Sequence, residues 1–130
     1  MARSFLSGVR SDAGPVALVN ERTGQVVASA VELAGTSETR RRGLLGRDCL
    51  DPSAAIIIAP TSAIHTFFMR FVIDVAFVNR DGRVLKIAHD LRPWRISASL
   101  RAFAVVEMSA GGMRRGGVTS GDRLVLRAQP

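Results

Sequence analysis

Ile64-His65-Thr66-Phe67-Phe68-Met69, then Asp74-Val75-Ala76-Phe77-Val78, Asn79-Arg80-Asp81-Gly82 and Arg83-Val84-Leu85-Lys86-Ile87-Ala88, is the stretch that decides the fold. Its apolar runs are short and rich in β-branched and aromatic side chains, which fit a pleated, half-buried surface. Asp81-Gly82 between two such runs is a hairpin signal, because both residues tolerate positive φ. Working outward, the same pattern repeats. Ala54–Ile58 is a short apolar strand ended by Pro60, and Ala102–Met108 is another. Ser120-Gly121-Asp122 turns into a last strand, Arg123–Leu126. Toward the amino terminus, Val16–Asn20, the turn Glu21-Arg22-Thr23-Gly24 and Gln25–Leu33 read as a hairpin with a long second strand. One helix is expected, capped by Thr36 or Ser37, whose side-chain oxygen can accept from an orphan amide of the first turn. Glu38 suits its positive end. Arg40 to Arg42 fall on its exposed side, Leu44 and Leu45 anchor its end, and Gly43 and Gly46 keep it short. The expected fold is mainly β: a compact antiparallel β-barrel or two-layer β-sandwich with one short helix. A parallel βαβ arrangement is not expected, because helices between strands are missing from the pattern.

The chain has 130 residues, of which 47% are hydrophobic and 22% charged, enough apolar surface for one core and too little charge for a disordered chain. We read residues 15–130 as a single β-rich domain and the Ser/Gly/Arg-rich residues 1–14 as a loosely ordered lead-in. Cys49 is the only cysteine, so no internal disulfide can form. The amino terminus has no apolar run of signal-peptide length. The longest apolar stretch, Ala54 to Ala59, is far too short to cross a bilayer. The expected location is the cytoplasm, without membrane insertion. The net charge of +7 comes almost wholly from arginine, with Lys86 the only lysine. Apart from Arg40-Arg41-Arg42 and Arg114-Arg115 the basic residues are scattered, so nucleic-acid binding, which needs a clustered basic footprint, is not expected.

His65-Thr66-Phe67-Phe68-Met69-Arg70, Ile73-Asp74-Val75-Ala76-Phe77-Val78 and Asp81-Gly82-Arg83-Val84 together resemble the signature of a prokaryotic family, the domain of unknown function 192. Flanking blocks agree: Gly43-Leu44-Leu45-Gly46-Arg47, Leu91-Arg92-Pro93-Trp94-Arg95-Ile96, Glu107-Met108, Ala110-Gly111 and Gly121-Asp122. The resemblance spans roughly residues 27 to 127, and it lies in the order and spacing of the blocks. Val72 stands where many members carry proline before the aspartate segment, a local departure. Many relatives look exported, whereas export is not expected from the residues of this sequence. The resemblance implies a compact β-barrel-like domain and supplies no activity.

Five residues are candidates for a ligand site: His65, Arg70, Asp74, Trp94 and Glu107. If residues 65–69 formed one strand, His65, Phe67 and Met69 would share a face, with Thr66 and Phe68 on the other. His65 reads either as a core-side histidine bonded to a backbone carbonyl or as a ligand or acid–base group. Arg70 and Asp74, four apart, would share a face in a continuous strand and could pair bidentately, as a structural bridge or as an anion site. Glu107, between Val105-Val106 and Met108, needs a partner or a raised pKa. Arg70, His65 or a backbone amide could supply that partner. Trp94, among Arg92, Pro93 and Arg95, reads as a lid on the barrel or as an exposed ring for a sugar, a base or a protein.

Metal, nucleophile and phosphate-loop patterns are not expected. His65, Asp74, Glu107 and His89 show no metal-ligand spacing, so neither metal nor cofactor is expected. Nothing pairs Cys49 with a histidine as a nucleophile. The run Gly111-Gly112-Met113-Arg114-Arg115-Gly116-Gly117 lacks the Gly-Lys-Ser/Thr of a phosphate loop and reads as a mobile loop. Three functions follow. One is an accessory domain that binds a small anionic or sugar-like ligand, or a protein partner, at a polar barrel mouth lined by the five candidates. The second is a hydrolytic or isomerising enzyme with Glu107 or Asp74 as general base and His65 as acid. The third is a structural or assembly protein without a small ligand. The sequence assigns no oligomeric state.

Overall fold

The computed structural model describes residues 5–6 and 15–129. Its strands are β1 (Val16–Asn20), β2 (Val26–Ala28), β3 (Ala30–Ala34), β4 (Ala54–Ile58), β5 (Ala63–His65), β6 (Ile73–Val78), β7 (Val84–Leu91), β8 (Ile96–Ala98), β9 (Ala104–Ser109) and β10 (Leu124–Ala128). The helices are α1 (Ser37–Arg42) and α2 (Gly112–Arg115). A central sheet has the order β3-β4-β9-β6-β7, a second sheet β10-β1-β2, and a β5-β8 ribbon stands apart. The sheets do not close into a barrel. The second sheet packs on one face of the central one, as in a β-sandwich.

The middle strands β6 and β9 are buried on both faces, so their alternation sorts residues between two cores. Ala76, Val78, Val106 and Met108 join Leu18, Val27, Met113 and Leu124 in the core shared with the second sheet. Ile73, Val75, Phe77 and Val105 turn the other way, into a core closed by Leu44, Leu50, Ile58 and Met69. The register pairs Asp74 with Met108 and Val75 with Glu107. Asp74 therefore faces the first core and Glu107 the second.

Three expectations need correction. β3 and β4 pair in parallel, Ala30 opposite Ala54 through Ala34 opposite Ile58, with α1 as the crossover between them. The sheet is thus mixed rather than antiparallel: six helical residues suffice for a crossover that the strand pattern hid. The long second strand of the first hairpin is two strands. The amides of Ser29 and Ala30 both donate to the Ser53 carbonyl, and there the chain leaves β1 and joins β4. The glycine-rich run is not a loop throughout but forms α2, whose Met113 amide donates to the buried Asp74 carboxylate at 3.1 Å. Gly112 lets α2 sit tightly, since a Cβ there would lie 3.0 Å from the Met108 Cβ. The loosely ordered segment 1–14 lies outside the described residues except for Phe5 and Leu6. The Phe5 ring is buried in the first core and its amide donates to the Arg80 carbonyl.

Gly121-Asp122 closes the fold through its carboxylate. Asp122 accepts from Asn20 Nδ2 at 2.8 Å, Arg22 Nε at 2.6 Å and the Thr119 amide at 2.8 Å. These bonds, led by that of Arg22, hold its carboxyl well below the usual carboxylate range. Helix α1 is capped by Thr36, whose hydroxyl accepts from the Thr39 amide at 3.0 Å while Thr39 Oγ1 accepts from the Thr36 amide. In so short a helix this reciprocal pair is the main local restraint. Thr36→Ala is expected to cost about 1 kcal/mol in chemical denaturation. A cost near zero would mean that tertiary packing alone holds α1.

Candidate functional site

A cleft of about 400 Å³ opens on the second face of the central sheet. Its walls are α1 with the following Gly43–Leu45 turn on one side, and the β5 segment with Met69 on the other. Ser37, Arg40, Arg42, Thr61 and His65 supply polar groups, while Leu44, Ile58, Ile64 and Met69 supply the apolar lining. Glu107 belongs to the same cleft. The parallel crossover makes this possible: it carries α1 over the face onto which β9 projects Glu107.

Glu107 is 4% exposed and sits between Ile56 of β4 and Val75 of β6 in the sheet register. Its Oε2 atom is buried with no hydrogen-bond partner among the described residues. Burial pushes the carboxyl up to about 7, and the positive charge of Arg47 offsets part of that rise. Arg47 is itself engaged by Glu32 through two bonds of 3.0 Å. At neutral pH the Glu107 carboxyl is therefore divided between a form that donates a hydrogen bond and one that only accepts. Arg40 and Arg42 form no ion pair with any described residue; the Arg40 guanidinium donates to Ser37 Oγ at 3.4 Å.

The five candidates do not form one mouth. His65 and Glu107 line the same cleft. His65 ends β5, where its Nδ1 accepts from the Phe67 amide at 3.3 Å and its ring stacks on Phe67. The strand stops there. Residues 66–69 form a turn with Phe68 at φ 66°, so the expected alternation over 65–69 fails and Met69 returns to the cleft. Arg70 is exposed and pairs with Asp48 at 2.9 Å, not with Asp74. Asp74 lies on the opposite face of the sheet, fully buried, and accepts from the Asp90 and Met113 amides. His89 Nδ1 stands 3.7 Å from its Oδ2. Trp94 is 55% exposed, in an aromatic cluster beside the cleft rather than as a lid. Cys49 is exposed. Among the described residues no group of three or more His, Cys, Asp or Glu is placed to hold a metal ion.

Sequence reasoning missed the cationic wall of Arg40 and Arg42 and the influence of Arg47 on Glu107. The available signal was the β3–α1–β4 order itself, had it been read as a crossover. A second depression, about 560 Å³ and more open, is lined by Pro60, Asn79, Arg80, Asp81, Arg101 and Phe103 among others. Arg80 is already stacked 4.5 Å above the Phe103 ring, and no orphaned buried group among the described residues faces the depression. The Glu107 cleft is the better-built site.

No described helix is long and apolar enough to cross a membrane. Two solved structures share the fold. One, from Sinorhizobium meliloti 1021, is provisionally described as a transcription regulator. It is 27% identical, with a TM-score of 0.74 over 84% of this chain and 89% of that one. The other is a protein of unknown function from Novosphingobium aromaticivorans DSM 12444. It is also 27% identical, with a TM-score of 0.70 over 89% of each chain. No curated protein matches the chain. The family model DUF192, "Uncharacterized ACR", matches residues 18–126. The chain belongs to the domain of unknown function 192 family.

Proposed function

We propose that this protein is a binding domain for a small anionic, hydroxyl-bearing molecule held in the Glu107 cleft. The observation that carries the proposal is the buried, unpartnered Glu107 Oε2 in a cleft walled by Arg40 and Arg42, two cations without acidic partners among the described residues. A buried polar atom without a partner is costly, and a small rotation of the Glu107 carboxyl toward the cleft it lines would let a ligand hydroxyl satisfy it. The arginines would meet the ligand's anionic group through their paired N–H donors. His65, whose Nδ1 accepts from the Phe67 amide, adds its Nε2–H as a donor in the cleft.

The transcription-regulator description of the S. meliloti relative does not change this reading. A recognition helix must lie along the major groove, and the helices here have six and four residues. Arg22, Arg47, Arg70, Arg114 and Arg123 are each tied to an acidic side chain rather than free for phosphates.

Calorimetry and thermal denaturation with galacturonate, gluconate and glucose 6-phosphate test the proposal. At least one is expected to bind saturably and to raise the melting temperature as its concentration exceeds Kd. Glu107→Leu should weaken it about tenfold by removing the hydrogen bond, whereas Glu107→Gln, which keeps a donor and an acceptor, should stay within about threefold. The proposal fails if none of the three binds, or if the Leu variant binds as well as the parent. Turnover lost in Glu107→Gln with binding intact would instead identify an acid–base enzyme, for which a carboxyl near neutrality in the same cleft as His65 is suited.

A further inference from the structure

We propose that the cleft is one subsite of a longer groove, and that the groove takes an acidic oligosaccharide. One sugar unit would sit over Glu107 and the next would stack on the Trp94–Phe68 surface. The inference rests on the cleft reading above and extends it to a second subsite and a substrate class.

The aromatic surface is continuous with the cleft. His65, which lines the cleft, stacks on Phe67 with ring centroids 4.8 Å apart. Phe67 stacks on Trp94 at 5.7 Å, and Trp94 meets Phe68 at 4.7 Å with the planes tilted by 59°. The two outer rings are displayed rather than packed: Phe68 is 71% exposed and Trp94 55%. Their display is built into the backbone. Phe68 and Trp94 both adopt φ 66°, a left-handed conformation that non-glycine residues avoid unless the surroundings impose it.

The imposing element is Thr66. Its hydroxyl donates to the Arg92 carbonyl at 2.6 Å and accepts from the Arg95 amide at 2.9 Å. Its carbonyl accepts from the Trp94 and Met69 amides, both at 3.1 Å, and its own amide donates to the Arg95 carbonyl. This one fully buried threonine fastens the two ring-bearing turns together. A mobile hydrophobic loop would need no such fastening; a preorganised binding surface does.

The chemistry around the rings selects the occupant. Apolar C–H faces of a pyranose pack on exposed aromatic faces, while its hydroxyls need carboxyl and guanidinium partners. Glu107 and Arg40 supply these in the cleft, and the exposed Arg92 and Arg95 flank Trp94. The excess of cations, within a chain of net charge +7, favours a saccharide that carries carboxylates. A single-stranded nucleic acid fits less well. Bases bind by stacking on free ring faces in succession, and here Phe67 already stacks with both His65 and Trp94, while the two exposed rings, Trp94 and Phe68, meet each other at 4.7 Å.

Trp94 is the only tryptophan, so its emission reports on this surface alone. The full chain would be titrated with trigalacturonic acid, galacturonic acid, maltotriose and hexathymidylate, with calorimetry in parallel. The acidic trimer is expected to change Trp94 emission saturably and to bind about tenfold tighter than the monomer. Phe68→Ala, which leaves the Thr66 hub intact, should bring the trimer down to the monomer's affinity, and Trp94→Ala should do the same by calorimetry. If the trimer binds no tighter than the monomer and both variants match the parent, the second subsite is overturned while the cleft reading stands. If neither acid binds, or if maltotriose or hexathymidylate binds tighter than the trimer, the saccharide class is overturned. Glucose 6-phosphate binding that Glu107→Leu weakens about tenfold would then leave the cleft itself intact.

Discussion

Between pH 5 and pH 8 the protein is expected to lose stability that the Glu107→Gln variant keeps. The folded protein holds the Glu107 proton up to about pH 7, whereas a carboxyl with the ordinary value of 4.5 releases it in the unfolded chain. Across that window the native state binds a proton that the unfolded state has given up. Stability therefore falls as pH rises. The contribution is fully present below pH 4.5, declines through the window and levels off once pH passes about 7. With each unit of difference worth about 1.4 kcal/mol, the total is on the order of 3 kcal/mol. Glutamine carries no proton to lose, so the stability of the variant relative to the parent should climb by this amount from pH 5 to pH 8. The low-lying carboxyls of Asp122 and Asp51 act in the opposite direction at acid pH. They are common to both proteins and cancel in the difference. Urea denaturation of both proteins at several pH values measures it. A difference that stays flat from pH 5 to pH 8 would show that Glu107 is ionised in the folded protein throughout, and that the cleft carries a fixed negative charge.

The same residue shows how far the sequence could be read. Glu107 stood out because its neighbours are apolar, and local burial of a strand is legible from such a run. Its surroundings were not legible, because they depend on which strand pairs with which. Strand periodicity placed β1, β4, β6, β7, β9 and β10 close to where they are. It could not show that β3 runs parallel to β4, since one six-residue helix gives little periodic signal. That single pairing brings Arg40 and Arg42 into the cleft that Glu107 lines. Alternation also misled where the strand ended early. Thr66 makes more of its bonds with the 92–95 turn than with its own segment, and this long-range fastening throws Phe67 and Phe68 out of strand register. The Arg70–Asp74 spacing failed for the same reason, because residues 71 and 72 interrupt the strand that the spacing assumed.

Asp74→Ala is expected to lower stability by about 3 kcal/mol, or roughly 10 °C in melting temperature, while leaving ligand binding in the cleft unchanged. Asp74 sits within the family signature, and in sequence it was as good a general base as Glu107. The structure gives it different work. Its side chain is fully buried on the sheet face away from the cleft. Oδ1 accepts from the Asp90 amide at 3.0 Å, where β7 passes through a positive φ of 52°. Oδ2 accepts from the Met113 amide at 3.1 Å and so fixes α2 over the first core. Alanine would strand both amides and open a void beside Met113. Asparagine keeps the shape and one acceptor but turns an amide N–H₂ toward one of the two donors, so it should also destabilise, by less than alanine. Thermal denaturation of the two variants, with calorimetry on whichever acid binds the parent, separates structure from chemistry. An Asp74→Ala protein that melts within about 2 °C of the parent would remove the clasp argument. One that folds well yet fails to bind would place Asp74 in the ligand's path after all, and would overturn the assignment of the site to the Glu107 face.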